Sequence, residues 1–217
     1  AKIIVSIDAD FLGTWINPTA FSRAFMAGRK DIANMNKLVV FDSNMSLTGA
    51  NADIRVRIKP SQQLDVVMGL IHEISGGQGA FSDVATKIGM DKALFSKLAA
   101  DLKANRGQTL VVAGGLPTLT EKSAELQMAV NHLNSLLGND GSTVDHKNAM
   151  TALQGSYSDL VELKASLEKG AVKTVIIHKT NPLYALPESF GFREALRKAE
   201  MVIYTGDRID ETGKQAD

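Results

Sequence analysis

The 217-residue chain contains no cysteine. Disulfides, thiolate chemistry, zinc sites with sulfur ligands and cysteine-bound iron–sulfur clusters are therefore excluded within it. No sign of charge dominates either, because 24 Lys and Arg residues balance 24 Asp and Glu residues. A chain of zero net charge has no long-range field to draw it to DNA, RNA or an anionic membrane, so nucleic acid is not an expected partner. No apolar run approaches the ~18–20 residues that span a bilayer as a helix, and no direct membrane span is expected. Nucleotide and hydrolase signatures are also missing. GGQG at 76–79 follows a helical pattern and precedes no GKS or GKT, so it is not a phosphate loop. There is no G-x-S-x-G elbow, and His72, His132, His146 and His178 show no tight metal-ligand spacing. What is present is ordinary globular material, 44% hydrophobic and 22% charged, enough for one domain or two small ones.

Short apolar runs alternate with helical periodicities along the chain. Residues 2–7, 38–41, 109–113 and 172–177 are rich in β-branched residues and lack a polar face, which predicts buried strands. Segment 54–58 alternates Ile54, Val56 and Ile58 with Arg55 and Arg57, the pattern of a strand with one solvated face. Asn17-Pro18 fits a helix start, with a helix through Phe21 and Phe25 ending near Gly28. Further helices follow Pro60, Asp91 and Gly115, and Ser156 with Asp159 forms a capping-box variant before Leu160, Leu163 and Leu167. A last helix carries Phe192, Ala195, Leu196 and Ala199 ahead of strand-like MVIY. The expected fold is α/β, with mainly parallel sheets covered by helices on both faces. A boundary near 138–141 divides a first α/β domain, 1–144, from a second unit, 145–217. Strand-like sequence starts almost at residue 1 without an initiator methionine, so an excised fragment is expected.

Two regions share an order of features. Strand, Asn17-Pro18, helix, strand and TGANAD at 48–53 echo strand, Asn181-Pro182, helix, strand and TGKQAD at 212–217. Related α/β units would produce such self-similarity. Thr48 and Thr212 would then lie in equivalent loops at strand carboxyl ends, the usual ligand crevice of open α/β sheets.

The stretch LVVFDSNMSLTGANADIRVRIKPSQQLDVVMGLIHEI resembles the guanine-dinucleotide segment of the molybdopterin oxidoreductases of dimethyl-sulfoxide-reductase and formate-dehydrogenase type. Asp42, Thr48, Ala52, Asp53, Ile58, Lys59, Pro60 and Asp65 follow the family's order. TLVVAGG with the helix end LLGNDG, and HKTNPLYALPESF with DETGKQAD, are similar to two further family segments. IDADFLGTW and SNMSLTGANAD more closely resemble the molybdopterin-like domain of the large iron–sulfur subunit of alternative complex III. The resemblance implies the fold of that domain type and molybdopterin guanine dinucleotide as the family cofactor. It also implies iron–sulfur clusters elsewhere in a parent chain, other domains and respiratory-complex subunits as partners, and a periplasmic or periplasm-facing complex.

The departures are specific. Asp42-Ser43-Asn44 replaces the family's Asp-Pro-Arg, removing a cationic fork suited to phosphate. Pro60-Ser61-Gln62 has lost Gly-Thr, and Asp8-Ala9-Asp10 sets two carboxylates where a pyrophosphate would be repelled. No molybdenum ligand has a counterpart. The residues that the resemblance marks as vestigial cofactor contacts are Asp42, Asn44, Thr48, Lys59, Gly114, Asn181, Pro182 and Asp207. Each has a bland alternative: Asp42 organising its own loop, Asn181 capping a helix, Lys59 simply solvated. Asp8 and Asp10 are either oxygen ligands for a cation or loop caps, the latter favoured because no third ligand stands near them in sequence. No residue is assigned to catalysis and none to a metal. The expected function is a non-catalytic structural or interaction domain of a larger respiratory oxidoreductase, with cofactor binding weakened or lost. The alternative is a fragment of an active bis-molybdopterin-guanine-dinucleotide enzyme.

Overall fold

A computed structural model describes residues 1–77, 81–147 and 155–217. They fall into two compact units, Ala1–Met150 and Thr151–Asp217. In the first, strands β1 (Ile3–Ile7), β2 (Lys37–Asp42), β3 (Ile54–Arg57) and β4 (Thr109–Ala113) form an all-parallel sheet in the order β3-β2-β1-β4. Every residue of β1 is buried, as an unalternating apolar run requires. Ile3, Val5 and Ile7 pack with Val39, Phe41 and Val111 on one face; Ile4, Leu38 and Val40 pack on the other.

Helix α1 (Pro18–Ala27) covers the second face through Phe25 and Phe21. Asn17 caps it by accepting from the Ala20 amide, Pro18 occupies a position that needs no donor, and Gly28 ends it. After the one-turn α2 (Leu47–Ala50), helices α3 (Gln63–Ser75), α4 (Val84–Lys87), α5 (Lys92–Ala104) and α6 (Ser123–Leu136) line the first face. Val67, Leu70, Phe95, Leu98, Leu126 and Leu133 are their buried contribution. Gly76 closes α3 in the left-handed conformation, where a side chain would be strained. The rest of the expected glycine break, Gln78-Gly79, lies outside the described residues.

The outer edge of β4 is closed by side chains. Asn134 of α6 accepts from the Val111 amide (3.0 Å) and donates to the Val111 carbonyl (2.8 Å). Gln127 donates to the Ala113 carbonyl (3.1 Å), and the Thr143 hydroxyl donates to the Thr109 carbonyl. The amide of Asn134 thus stands in for a fifth strand, and the sheet ends there.

The second unit contains α7 (Tyr157–Glu168), β5 (Thr174–His178), α8 (Pro182–Ala185), α9 (Phe192–Leu196) and β6 (Met201–Thr205). The capping box is formed: Ser156 Oγ accepts from the Asp159 amide, and the Asp159 carboxylate accepts from the Ser156 amide. Strands β5 and β6 pair in parallel, and Ile177, Leu196 and Val202 pack on one side of them. The expectation that both sheet faces are covered fails here. Ile176 is 68% exposed, with Met201 and Ile203 also open, because this unit places helices against only one face of its pair. Helix α9 stops at Leu196, shorter than the periodicity through Ala199 predicts, although Ala199 still packs on the core.

Candidate functional site

The chain runs β1, β2, β3 in one direction across the sheet and then crosses to β4 on the other side of β1. The loops after β1 and β4 therefore diverge, and the crevice between them is where doubly wound sheets bind ligands. Asp8 opens the β1 loop with φ 49°, a conformation that costs a non-glycine residue about 1 kcal/mol or more. Its carboxylate lies across the strand ends. One oxygen accepts from the Ser43 amide (2.8 Å) and hydroxyl (3.0 Å), the other from Gln63 Nε2 (2.6 Å). Gln63 Nε2 also donates to the Pro117 carbonyl (2.9 Å), so this buried amide bridges the loops on either side of the crevice. Trp15 lies over the glycine turn after β4: a Cβ on Gly114 would stand 3.0 Å from its ring. Gly115, at φ 101°, brings the turn close to the Asp8 carbonyl.

A second cluster ties the β1 loop to the β2 loop. Asp10 Oδ1 accepts from the Thr48 amide (2.9 Å) and hydroxyl (2.8 Å), and Oδ2 accepts from Thr14 (3.1 Å). Thr48 Oγ1 in turn accepts from the Leu12 amide (3.0 Å). Asp42, 1% exposed at the end of β2, is ion-paired to Arg55 of β3 at 2.6 Å and receives the Ser46 hydroxyl at 3.4 Å. Gly49 must lack a Cβ because one would overlap the Asp42 carboxylate. Asp53 receives the Leu38 amide (2.7 Å) and a short ion pair from Arg29. Burial works against its charge, but the Arg29 and Leu38 donors prevail and hold Asp53 below the ordinary carboxylate range.

The second unit repeats this clasp. Lys179 ends β5 with φ 48°, matching Asp8. Its amide donates to the Thr205 carbonyl as the Asp8 amide does to Phe41. Asn181 Oδ1 accepts from the Thr212 hydroxyl (2.7 Å), and Thr212 Oγ1 accepts from the Leu183 amide (3.2 Å). Asp217 receives the Val202 amide (2.8 Å) as Asp53 receives that of Leu38. The internal echo is therefore physical, but its register differs from the sequence expectation. Asn17 is a helix cap, and the counterpart of Asn181 is Asp10. Nor does Asn181 cap α8 with its side chain, which is spent on Thr212 and on donating to Glu211 (2.7 Å).

The residues singled out by sequence divide between the units. Asp42 and Thr48 are consumed by the clasp and Gly114 lies beside the Trp15 ring; Asn44 and Lys59 are exposed. Asn181 and Pro182 open α8, and Asp207 is exposed in the loop after β6. Asp8 and Asp10, weighed in the sequence as cation ligands or caps, act as caps and loop ties. Sequence reading missed Gln63 and Arg55. Gln63 carries a signal, a polar residue one turn ahead of the buried Val66 and Val67. Arg55 carries none, since alternation assigns it to a solvated face.

No family model matches the chain. It is, however, 25% identical to the menaquinone reductase, molybdopterin-binding-like subunit, of Nitratidesulfovibrio vulgaris. The chain is similar to a molybdopterin-binding-like subunit. The alignment takes in the whole of this chain but only 36% of that relative's length. The likeness is end to end for this chain, which spans about a third of that relative. Among the described residues no helix is long and apolar enough to cross a membrane.

Proposed function

We propose that the chain is a non-catalytic structural or interaction domain of a larger respiratory electron-transfer oxidoreductase, in which cofactor binding at the first crevice has been lost. The observation that carries the reading is the Asp8–Gln63 bridge, which spans the switch-point crevice with the protein's own groups. The charges at these strand ends do not fit the pyrophosphate of a guanine dinucleotide. Asp8, Asp10 and Asp42 bring three carboxylates to these strand ends, and Arg55 is already paired to Asp42. The amide of Gln63 has its nitrogen on two acceptors and its buried Oε1 without a partner, so the cradle calls for a donor rather than a phosphate. The relative's name, molybdopterin-binding-like, is in keeping with a retained scaffold. Partner domains and respiratory subunits, and a periplasm-facing location, belong to this reading.

Metal and pterin analysis of the natively expressed protein tests it. Absence of molybdenum and pterin is expected; a stoichiometric content bound through Asp42 and Thr48 would overturn it. One observation favours the alternative, a fragment of an active bis-molybdopterin-guanine-dinucleotide enzyme. In the second unit Lys179 and Arg208 take the places of Asp8 and Asn44, so that loop presents cations where the first presents an acid and an amide.

A further inference from the structure

The two edges of the four-stranded sheet are finished differently. Asn134, Gln127 and Thr143 satisfy the outward main-chain groups of β4. At the other edge, among the described residues, β3 pairs only with β2. Val39 aligns with Ile54 and Phe41 with Val56, and the Ile58 amide donates to the Asp42 carbonyl at 3.0 Å. Alternate residues of a parallel strand bond to the same neighbour, so Ile54, Val56 and Ile58 address β2 while Arg55 and Arg57 turn their amides and carbonyls outward. Among the described residues no side chain hydrogen-bonds to the backbone of Ile54–Arg57. An edge left in this state is a template for another strand.

Charge narrows what can use it. The Arg55 guanidinium is held by Asp42, but Arg57 and Lys59 are exposed and give this end of the edge a positive character. Antiparallel pairing of two copies of β3 would set arginines among arginines, and like charges across a ladder are destabilising. A segment with carboxylates beside Arg57 and apolar residues on the opposite face, beside Ile54 and Val56, meets both surfaces of the strand. We propose that the β3 edge is a strand-addition surface that takes an extended segment of a partner protein, alternating acidic and apolar residues. It lies along the side of the sheet and does not depend on whether the crevice is closed.

A capped ten-residue peptide alternating glutamate and valine, titrated into the isotopically labelled protein, tests the proposal. Saturable binding is expected, with hydrogen-exchange protection appearing at the Arg55 and Arg57 amides. Arg57→Pro removes one outward donor and the charge without touching the β2 ladder, and should weaken binding about ten-fold. Arg57→Gln keeps the donor and should weaken it about three-fold. The same peptide with lysine for glutamate should bind more weakly than either variant binds the original. No saturable binding, protection elsewhere than Arg55 and Arg57, equal binding of the lysine peptide, or concentration-dependent protection without peptide, which would make a second copy the occupant, would each overturn it.

Discussion

The loops that follow β1 and β5 share a backbone and differ in electrostatics. Both leave their strand through a left-handed residue, and both fasten the next loop with a threonine hydroxyl that donates to one side chain and accepts from a main-chain amide. In the first unit the acceptor is the carboxylate of Asp10, flanked by Asp8 and the buried Asp42–Arg55 pair. In the second it is the neutral amide of Asn181, with Lys179 at the turn. The clasp geometry thus needs only an oxygen at the right place. The charges around it are free to vary, and in the first unit they are spent on contacts within the protein.

The comparison breaks most readily at Arg55. Arg55→Met leaves the Asp42 carboxylate buried without its cation and should destabilise the first unit by about 3–5 kcal/mol. Fluorescence of the single Trp15 reads that unit in denaturant, while exchange protection in β5 and β6 should stay unchanged. Next comes the hydroxyl. Thr48→Val strands the Leu12 amide and one Asp10 contact and should cost about 2 kcal/mol; Thr212→Val, with a longer bond to Leu183, should cost about 1 kcal/mol. Equal losses would mean that the charge of Asp10 adds nothing. Smaller still is Asp10→Asn, which copies the second unit's chemistry. It keeps an oxygen for Thr48 but turns a donor toward the Thr14 amide, costing about 0.5 kcal/mol.

The smallest effect is a titration. The hydrogen bond from Asn181 holds the Glu211 carboxyl below its ordinary value of 4.5. A carboxyl lowered on folding stabilises the folded state above its unfolded pKa, and that contribution is lost as pH falls through the folded value. Asn181→Ala should therefore move the Glu211 midpoint, followed by carboxyl NMR, upward. A midpoint that does not move would show that the second clasp is not formed in solution.

Much of this fold was legible in the sequence. Apolar runs without alternation mark β1 and β2 because burial on both faces leaves no place for a polar residue. Asn17-Pro18 and Ser156–Asp159 announce helix starts because capping is local chemistry. The half-bare β5–β6 pair was not legible, since Val175, Ile176 and Ile177 look alike whether or not a helix arrives to cover them. The site was legible in part. T-G-x-x-A-D pointed to Thr48 and Thr212, whose roles the structure bears out as paired. Matching Asn17 with Asn181 failed because an identical Asn-Pro pair serves a helix cap in one place and a loop tie in the other. The bridge from Gln63 to Asp8 joins residues 55 apart in sequence, and nothing local encodes it.

If the Asp8–Gln63 bridge occupies the first crevice, a guanine nucleotide finds no place there. Amide shifts of Ser43, Gly114 and Gly115, followed while guanosine diphosphate is added to the labelled protein, test it most directly. No saturable change is expected at these three positions up to millimolar nucleotide. A saturable shift at all three, with the Gln63 side-chain amide released from Asp8, would contradict it.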